Sequence, residues 1–328
     1  MTDPKRILSG MRPTGKLHLG NLHGALHNWI EMQDRYDCFF FIADWHALTT
    51  GYEETGAIRD NVREVMIDWL SVGLSAEKNT LFVQSHVKEH AELFLLLSMI
   101  TPVPWLERNP TYKDQMIQMT NKDLSTFGFL GYPVLQAADI IIYKADGVPV
   151  GMDQVPHVEI TREIARRFNH LYGRVFPEPD AILTKTAKVL GWDRRKMSKS
   201  YDNAIYLSDS AETVREKVSR FVTDPDRKRR ADPGNPDVCN VFDFHKMYSS
   251  PVQIHEVNEQ CRSAGIGCVE CKKKMGENLV AFLEPIRERR AHFEAHPEQV
   301  ADIIVAGGAK AREVARETLE QVRAAIRI

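Results

Sequence analysis

The chain has 328 residues, 43% of them hydrophobic and 27% charged, with a formal net charge of −2. That is enough apolar material for a core and for two domains, and it excludes a globally basic nucleic-acid binder while leaving room for local basic patches. The longest apolar runs, such as LFLLLSMI (Leu93 to Ile100), are too short to span a bilayer. The opening MTDPKRILSG carries no secretory leader, so a cytoplasmic location with no membrane partner is expected, and the five cysteines do not read as disulfides. In chain order, RILSGM reads as a strand, and GNLHGALHNWIEMQDR as a helix with Leu22, Leu26, Trp29 and Ile30 at helical spacing. CFFFIADWHAL reads as a strand buried on both faces, RDNVREVMIDWLSVG as a helix and NTLFVQS as a strand. This alternation predicts an α/β fold, a doubly wound parallel sheet over residues 1–206 with a helical insertion at about 100–145 and one further strand, GVPVG. Beyond 207 only helices are predicted, among them ENLVAFLEPIRERRAHFEA and KAREVARETLEQVRAAIRI, so residues 207–328 form an all-α C-terminal domain.

Two stretches carry chemistry. In SGMRPTGKLHLGNLHGAL a strand ends near Met11, a loop with Pro13, Thr14 and Gly15 follows, and a helix begins near Gly20. A helix start presents unpaired N–H groups and a partial positive charge, which suits phosphate, and Gly20 allows close approach beside the polar His18 and Asn21. The second stretch, GWDRRKMSKSYDNA (Gly191 to Ala204), is a cationic loop flanked by turn-forming residues, with Lys196 and Lys199 on either side of Met197 and Ser198.

HLGN (His18 to Asn21) together with KMSKS (Lys196 to Ser200) resembles the two signatures of the class I aminoacyl-tRNA synthetases. ADWHALTT, YPVLQAADIIIYKADGVPVG and DQVPHVEITREIARRFN resemble the tryptophanyl members of that family over nearly the whole chain. The resemblance implies a Rossmann-like catalytic domain, ATP with Mg²⁺ on the pyrophosphate oxygens, L-tryptophan and tRNA(Trp) as substrates, and a homodimer whose helical domain recognises the anticodon. It implies catalytic roles for Lys196, Lys199, His18 and Asn21. ATP contacts are implied at Arg12, Pro13, Thr14, Gly20, Asn21, Gly151, Met152, Asp153 and Val189, and at Lys196, Met197, Ser198, Lys199 and Ser200. Positive charge and positioning carry phosphoryl-type transfer, and two loop ammonium groups supply the charge. Two positions depart from the family's pattern: Asn21 stands where the first signature usually ends in histidine, and Met152 in GMDQ replaces a glutamate able to accept from a ribose hydroxyl.

On the helix YPVLQAADIIIYK, Tyr132, Gln136 and Asp139 share one mostly apolar face. A carboxylate there needs a donor partner, and indole has one N–H and no acceptor. The resemblance makes Asp139 the residue that selects tryptophan, with Tyr132 and Gln154 holding the substrate ammonium. His46 reads equally as a core histidine or a pocket wall. A tyrosyl-type enzyme and a non-catalytic iron–sulfur nucleic-acid regulator on the same fold are the alternatives. Cys239, Cys261, Cys268 and Cys271 all fall in the helical half, while Cys38 opens an apolar strand and reads as a core thiol. Four thiolates suit either a tetrahedral Zn²⁺ or a [4Fe–4S] cluster. Resemblance to an iron–sulfur-bearing subset of bacterial tryptophanyl enzymes favours the cluster, in a structural role, with free thiols as the remaining reading. The basic runs DPDRKRRADPG, CKKK and RERR read as solvated faces or as tRNA phosphate contacts.

Overall fold

The computed structural model describes residues 5–118, 123–184 and 189–328. Residues 119–122, within the expected helical insertion, lie outside that description. Five parallel strands form one sheet: β1 (Arg6–Met11), β2 (Asp37–Ile42), β3 (Thr80–Val83), β4 (Gly147–Val150) and β5 (Asp180–Leu183), in the order β3-β2-β1-β4-β5. The reason β2 lies inside the sheet is visible in its residues. Alternate side chains point to opposite faces, and both faces are apolar. Phe40 stacks on Trp29 at 4.5 Å on one face, while Phe39 meets Tyr143 at 5.0 Å and Phe41 meets Phe82 at 5.7 Å on the other. From β1 the sheet grows one way to β2 and the other way to β4, so the winding reverses there. Ligands of such sheets sit outside the carboxyl ends of the strands near that reversal. The residues that follow those ends are Arg12, Ala43, Gln84 and Gly151.

Two readings of the sequence need correcting. The apolar run through ADWHAL does not stay extended. β2 stops at Ile42 and Asp44–Gly51 is an α-helix, whose start is fixed by the Asp44 carboxylate accepting from the N–H groups of Trp45 (3.1 Å) and Ser85 (3.0 Å). β5 was not expected, because an edge strand of four part-exposed residues has no continuous apolar run. The helix Phe127–Ile141 begins at Thr126, whose hydroxyl accepts from Phe129 N–H, and carries Pro133 inside it.

The chain divides into two compact units that are not separated at residue 206. One contains 1–15, 28–185 and 296–328; the other contains 16–27 and 186–295. The last helix, Pro297–Ile326, belongs to the sheet unit because Ala311, Ala315, Leu319 and Val322 are buried in the same core as Phe82. Gly307 makes this approach possible, since a Cβ there would stand 1.8 Å from the Leu81 carbonyl oxygen of β3. Arg323 clamps Glu92 with two bonds of 2.7 and 2.6 Å, and Arg312 bonds Glu89 at 2.9 Å. In the second unit the helices Ala211–Ser219, Asn240–Tyr248, Pro251–Arg262 and Cys268–Ala295 surround a core that includes Val214, Phe221, Phe244 and Leu279.

Candidate active site

In the sheet unit, Asp139 is fully buried and is the convergence point of three donors. Gln84, the first residue after β3, points Nε2 at both carboxylate oxygens, at 2.8 and 2.9 Å. His46, from the helix after β2, reaches Oδ2 through Nε2 at 2.8 Å. His90, in the first turn of the helix Glu89–Ser98, reaches Oδ1 through Nδ1 at 2.5 Å. Burial pushes the Asp139 carboxyl up, but the hydrogen bonds and charges of His46 and His90 outweigh it, and the net direction is down. Asp139 is therefore an anion. Sequence reasoning brought Asp139 and His46 to the site but missed Gln84, His90 and Tyr143. The one signal for the first two is their position just beyond the carboxyl end of a buried strand.

Two turns earlier on the same helix, Tyr132 is 8% exposed, and its hydroxyl meets Nε2 of the buried His157 at 3.3 Å. His157 in turn meets the Asn109 amide through Nδ1 at 3.2 Å. Burial, helped by the charge of His46 and opposed by Asp153, holds His157 down at about 4, so it is neutral. Gln154 donates through Nε2 to the Asp153 carboxylate at 2.9 Å. A cavity of about 320 Å³ bordered by Trp45, Tyr52, Phe94, Gly131, Tyr132 and Leu135 flanks the helix, and Asp139 is not on its wall. Arg12, at the end of β1, donates to the Thr50 hydroxyl. Gly151 precedes the short 3-10 turn Met152–Gln154, on which Met152 is 73% exposed.

The second unit brings the two signatures together. Leu19 N–H donates to Ile205 O at 3.0 Å and Leu207 N–H to Leu17 O at 2.9 Å, which stitches HLGN to the residues just after KMSKS. The His18 ring lies over Gly20, where a Cβ would stand 2.8 Å from the ring. Burial, then the charges of Lys199 and Lys196, lower His18 to about 4, so it too is neutral. Asn21 accepts from His18 N–H through Oδ1 at 3.1 Å, a helix-start bond that accounts for asparagine at this position. The lysine loop is organised from below by Asn203, which is fully buried. Its Oδ1 accepts from Ser198 N–H at 2.8 Å, and its amide donates to Asp193 at 2.7 Å and to Lys196 O at 3.2 Å. Met197 and Val189 are buried, linked by a 3.0 Å backbone bond, while Lys196 and Ser200 are exposed. Ser198 caps the turn Lys199–Tyr201 by accepting from Ser200 N–H.

The four cysteines of this unit are all reduced, with Cys239 and Cys271 buried. Burial raises Cys271 to about 12, and the other three thiols push it the same way, so the four sense one another. Arg227 points a guanidinium N–H at Cys268 Sγ, at 3.9 Å, and Gly234 leaves no room for a side chain, since a Cβ would stand 2.7 Å from Cys261 Sγ. Among the described residues no group of three or more His, Cys, Asp or Glu stands in metal-holding geometry. The basic run beside them is partly committed: Arg227 donates to the carbonyls of Arg230 and Ile266, and Arg230 to those of Ala264 and Gly265. No helix of the described residues is long and apolar enough to cross a membrane.

A family model described as tRNA synthetases class I (W and Y) matches residues 1–284. The chain is 54% identical to the tryptophan–tRNA ligase of Thermotoga maritima, over 98% of this chain and 99% of that one. It is 46% identical to the tryptophan–tRNA ligase of Aquifex aeolicus, over 98% and 100% of the two chains. Among solved structures, the tryptophanyl-tRNA synthetase of Campylobacter jejuni complexed with ADP and tryptophan superposes with a TM-score of 0.91 at 34% identity, covering 98% of this chain and 100% of that one. The tyrosyl-tRNA synthetase of Archaeoglobus fulgidus, at 19% identity and a TM-score of 0.66, shares the fold alone.

Proposed function

The chain belongs to the class I tRNA synthetases of the tryptophan and tyrosine group and works as a tryptophan–tRNA ligase, and we propose how its residues divide that work. The carboxylate of L-tryptophan attacks the α-phosphorus of ATP, releasing pyrophosphate and forming tryptophanyl-adenylate. The 3′ end of tRNA(Trp) then takes the tryptophan and releases AMP. In the proposed division, Asp139 accepts the indole N–H, while Tyr132, Gln136, Gln154 and His46 complete the amino-acid pocket. Lys196 and Lys199 supply charge to the transferring phosphate, with Mg²⁺ on the pyrophosphate oxygens. His18 enters as a neutral hydrogen-bonding group, and Asn21 holds the turn that presents it. Gly20, Arg12, Pro13, Thr14, Gly151, Met152, Asp153, Val189, Met197, Ser198 and Ser200 form the remaining ATP contacts.

The observation that carries the tryptophan reading is the buried, anionic Asp139 held by Gln84, His46 and His90 on a mostly apolar helix. Such a carboxylate favours a ligand with an N–H or O–H and rejects phenylalanine, which would strip it of a partner. The tyrosyl alternative loses ground because relatives at 54% and 46% identity over the full chain are tryptophan–tRNA ligases, whereas the tyrosyl enzyme of Archaeoglobus fulgidus shares the fold alone. ATP–pyrophosphate exchange measured with each amino acid in turn tests the reading. Tryptophan should drive exchange and tyrosine should not; exchange driven by tyrosine would overturn it.

For the helical region we propose tRNA anticodon recognition, a homodimer with tRNA crossing subunits, and a cytoplasmic location. We further propose that Cys239, Cys261, Cys268 and Cys271 hold a [4Fe–4S] cluster that fixes the tRNA-facing helices, with Zn²⁺ as the alternative. The donor chemistry supports it: four cysteines suit a centre bound by four thiolates, burial and the other three thiols push Cys271 up, and the Arg227 guanidinium beside Cys268 would offset thiolate charge. Closing the thiols around it requires movement from the arrangement described above. Protein purified without oxygen should be brown, with about four irons per chain. Colourless protein with one zinc per chain would replace the cluster with the metal ion.

A further inference from the structure

The two oxygens of Asp139 have different surroundings. Oδ1 is met by Gln84 Nε2 at 2.8 Å and His90 Nδ1 at 2.5 Å, and both of those residues are 0% exposed. Gln84 is itself pinned, since its Oε1 accepts from the backbone N–H groups of Trp45 (3.1 Å) and His46 (3.4 Å). His90 is held from behind: the Tyr143 hydroxyl, also fully buried, lies 2.6 Å from its Nε2. Burial, then Asp139 and Glu89, push that hydroxyl well up, so it keeps its proton. The Asp139 carboxylate can only accept, so His90 Nδ1 donates to it, and the Tyr143 hydroxyl meets the other ring nitrogen. Tyr143, His90 and Asp139 thus form one fully buried hydrogen-bonded chain.

Oδ2 is less enclosed. Beside Gln84 at 2.9 Å it has His46 Nε2 at 2.8 Å, and the His46 side chain keeps 12% of its surface, where that of His90 keeps 0%. We infer that Oδ2 is the oxygen an indole N–H takes over from His46, and that His90 and Tyr143 are positioning residues that hold Oδ1 so that Oδ2 keeps its aim. This rests on the reading of Asp139 as the indole acceptor and deepens it. In the free protein His46 satisfies the carboxylate. A ligand that displaces it must replace the bond, and only a ring bearing a donor does so. A ring with sulfur in place of N–H leaves Oδ2 one donor short.

The test is ATP–pyrophosphate exchange with tryptophan and with its benzothienyl analogue, in which sulfur replaces the ring N–H. The readout is the ratio of kcat/KM for the two, in the wild type and in Asp139→Ala, Tyr143→Phe, His90→Gln and His46→Ala. Tyr143→Phe removes one hydroxyl and keeps the ring, and should lower the ratio about 3–10-fold, the scale of one hydrogen bond. The loss should appear in KM for tryptophan and not in kcat. His90→Gln should lower the ratio further, and Asp139→Ala should remove most of it. His46→Ala should keep the preference for tryptophan. If Tyr143→Phe and His90→Gln lower both substrates alike or move neither, while Asp139→Ala abolishes the preference, the positioning chain is wrong and the pocket reading stands. If His90→Gln fails to fold, Tyr143→Phe decides alone. Collapse of the preference in His46→Ala would mean that the imidazole receives the N–H, and would overturn the exchange at Oδ2. A preference that survives Asp139→Ala overturns both readings.

Discussion

At the scale of single residues, the site depends on which groups are charged. Asp139 is held ionised by donors, whereas His157 and His18 are held neutral, each at about 4. For His157 the consequence for stability can be signed. Its ordinary value is 6.5 and its value in the fold is about 4, so the unfolded chain binds more protons between those limits. The stabilisation is complete above about pH 6.5 and is lost as pH falls toward 4, at no more than about 1.4 kcal/mol per pH unit for one proton. His157→Gln should flatten the fall of the urea midpoint between pH 6.5 and 4.5. An unchanged slope would mean that His157 does not resist protonation. Much of this residue-level picture was legible in the sequence. Asp139 declared itself as a carboxylate on an apolar helix face, and the two lysines as a cationic loop. Gln84, His90 and Tyr143 did not, because what defines them is proximity in space: Gln84 and His90 reach one carboxylate from separate elements, and Tyr143 meets the far side of His90. None of the three breaks a periodic pattern on its own.

At the scale of elements, the lysine loop is a turn built on Asn203. Within the loop Met197 and Ala204 are buried, and the three bonds that Asn203 makes hold the turn between them. Gly191 is part of the same construction, since a Cβ there would stand 2.3 Å from the Asn203 side chain. Asn203→Ala should slow adenylate formation by about 100-fold, the cost of misplacing catalytic groups by about 1 Å. Tryptophan affinity should hold, because Asp139 belongs to the other unit. Stopped-flow measurement of adenylate formation checks the first claim and equilibrium titration the second; an unaltered rate would release Asn203 from this role. The strands were legible where they were buried on both faces, as in β2. They were not where the signal was short, as in β5, or ambiguous between periods, as in the helix Asp44–Gly51.

At the scale of the whole molecule, the last helix shows what a sequence withholds. Its apolar stripe is plain, but nothing in the stripe says that it packs on β3 and not on its sequence neighbours. The test of that packing is Gly307→Ala, which forces a methyl group against the Leu81 carbonyl and should cost about 1–3 kcal/mol of stability or more in urea unfolding. No loss would mean that the helix does not approach β3 so closely. The central claim is a division of labour, with recognition of tryptophan at Asp139 and phosphoryl chemistry at Lys196 and Lys199. Single-turnover adenylate formation, followed over a range of tryptophan concentrations, tests it most directly. Asp139→Ala should weaken tryptophan binding by about 30–150-fold, the loss of a charged hydrogen bond of roughly 2–3 kcal/mol, with a smaller change in the limiting rate. Lys196→Ala and Lys199→Ala should lower the limiting rate far more than they weaken tryptophan binding. Wild-type limiting rates in both lysine variants, or wild-type tryptophan affinity in Asp139→Ala, would contradict the account.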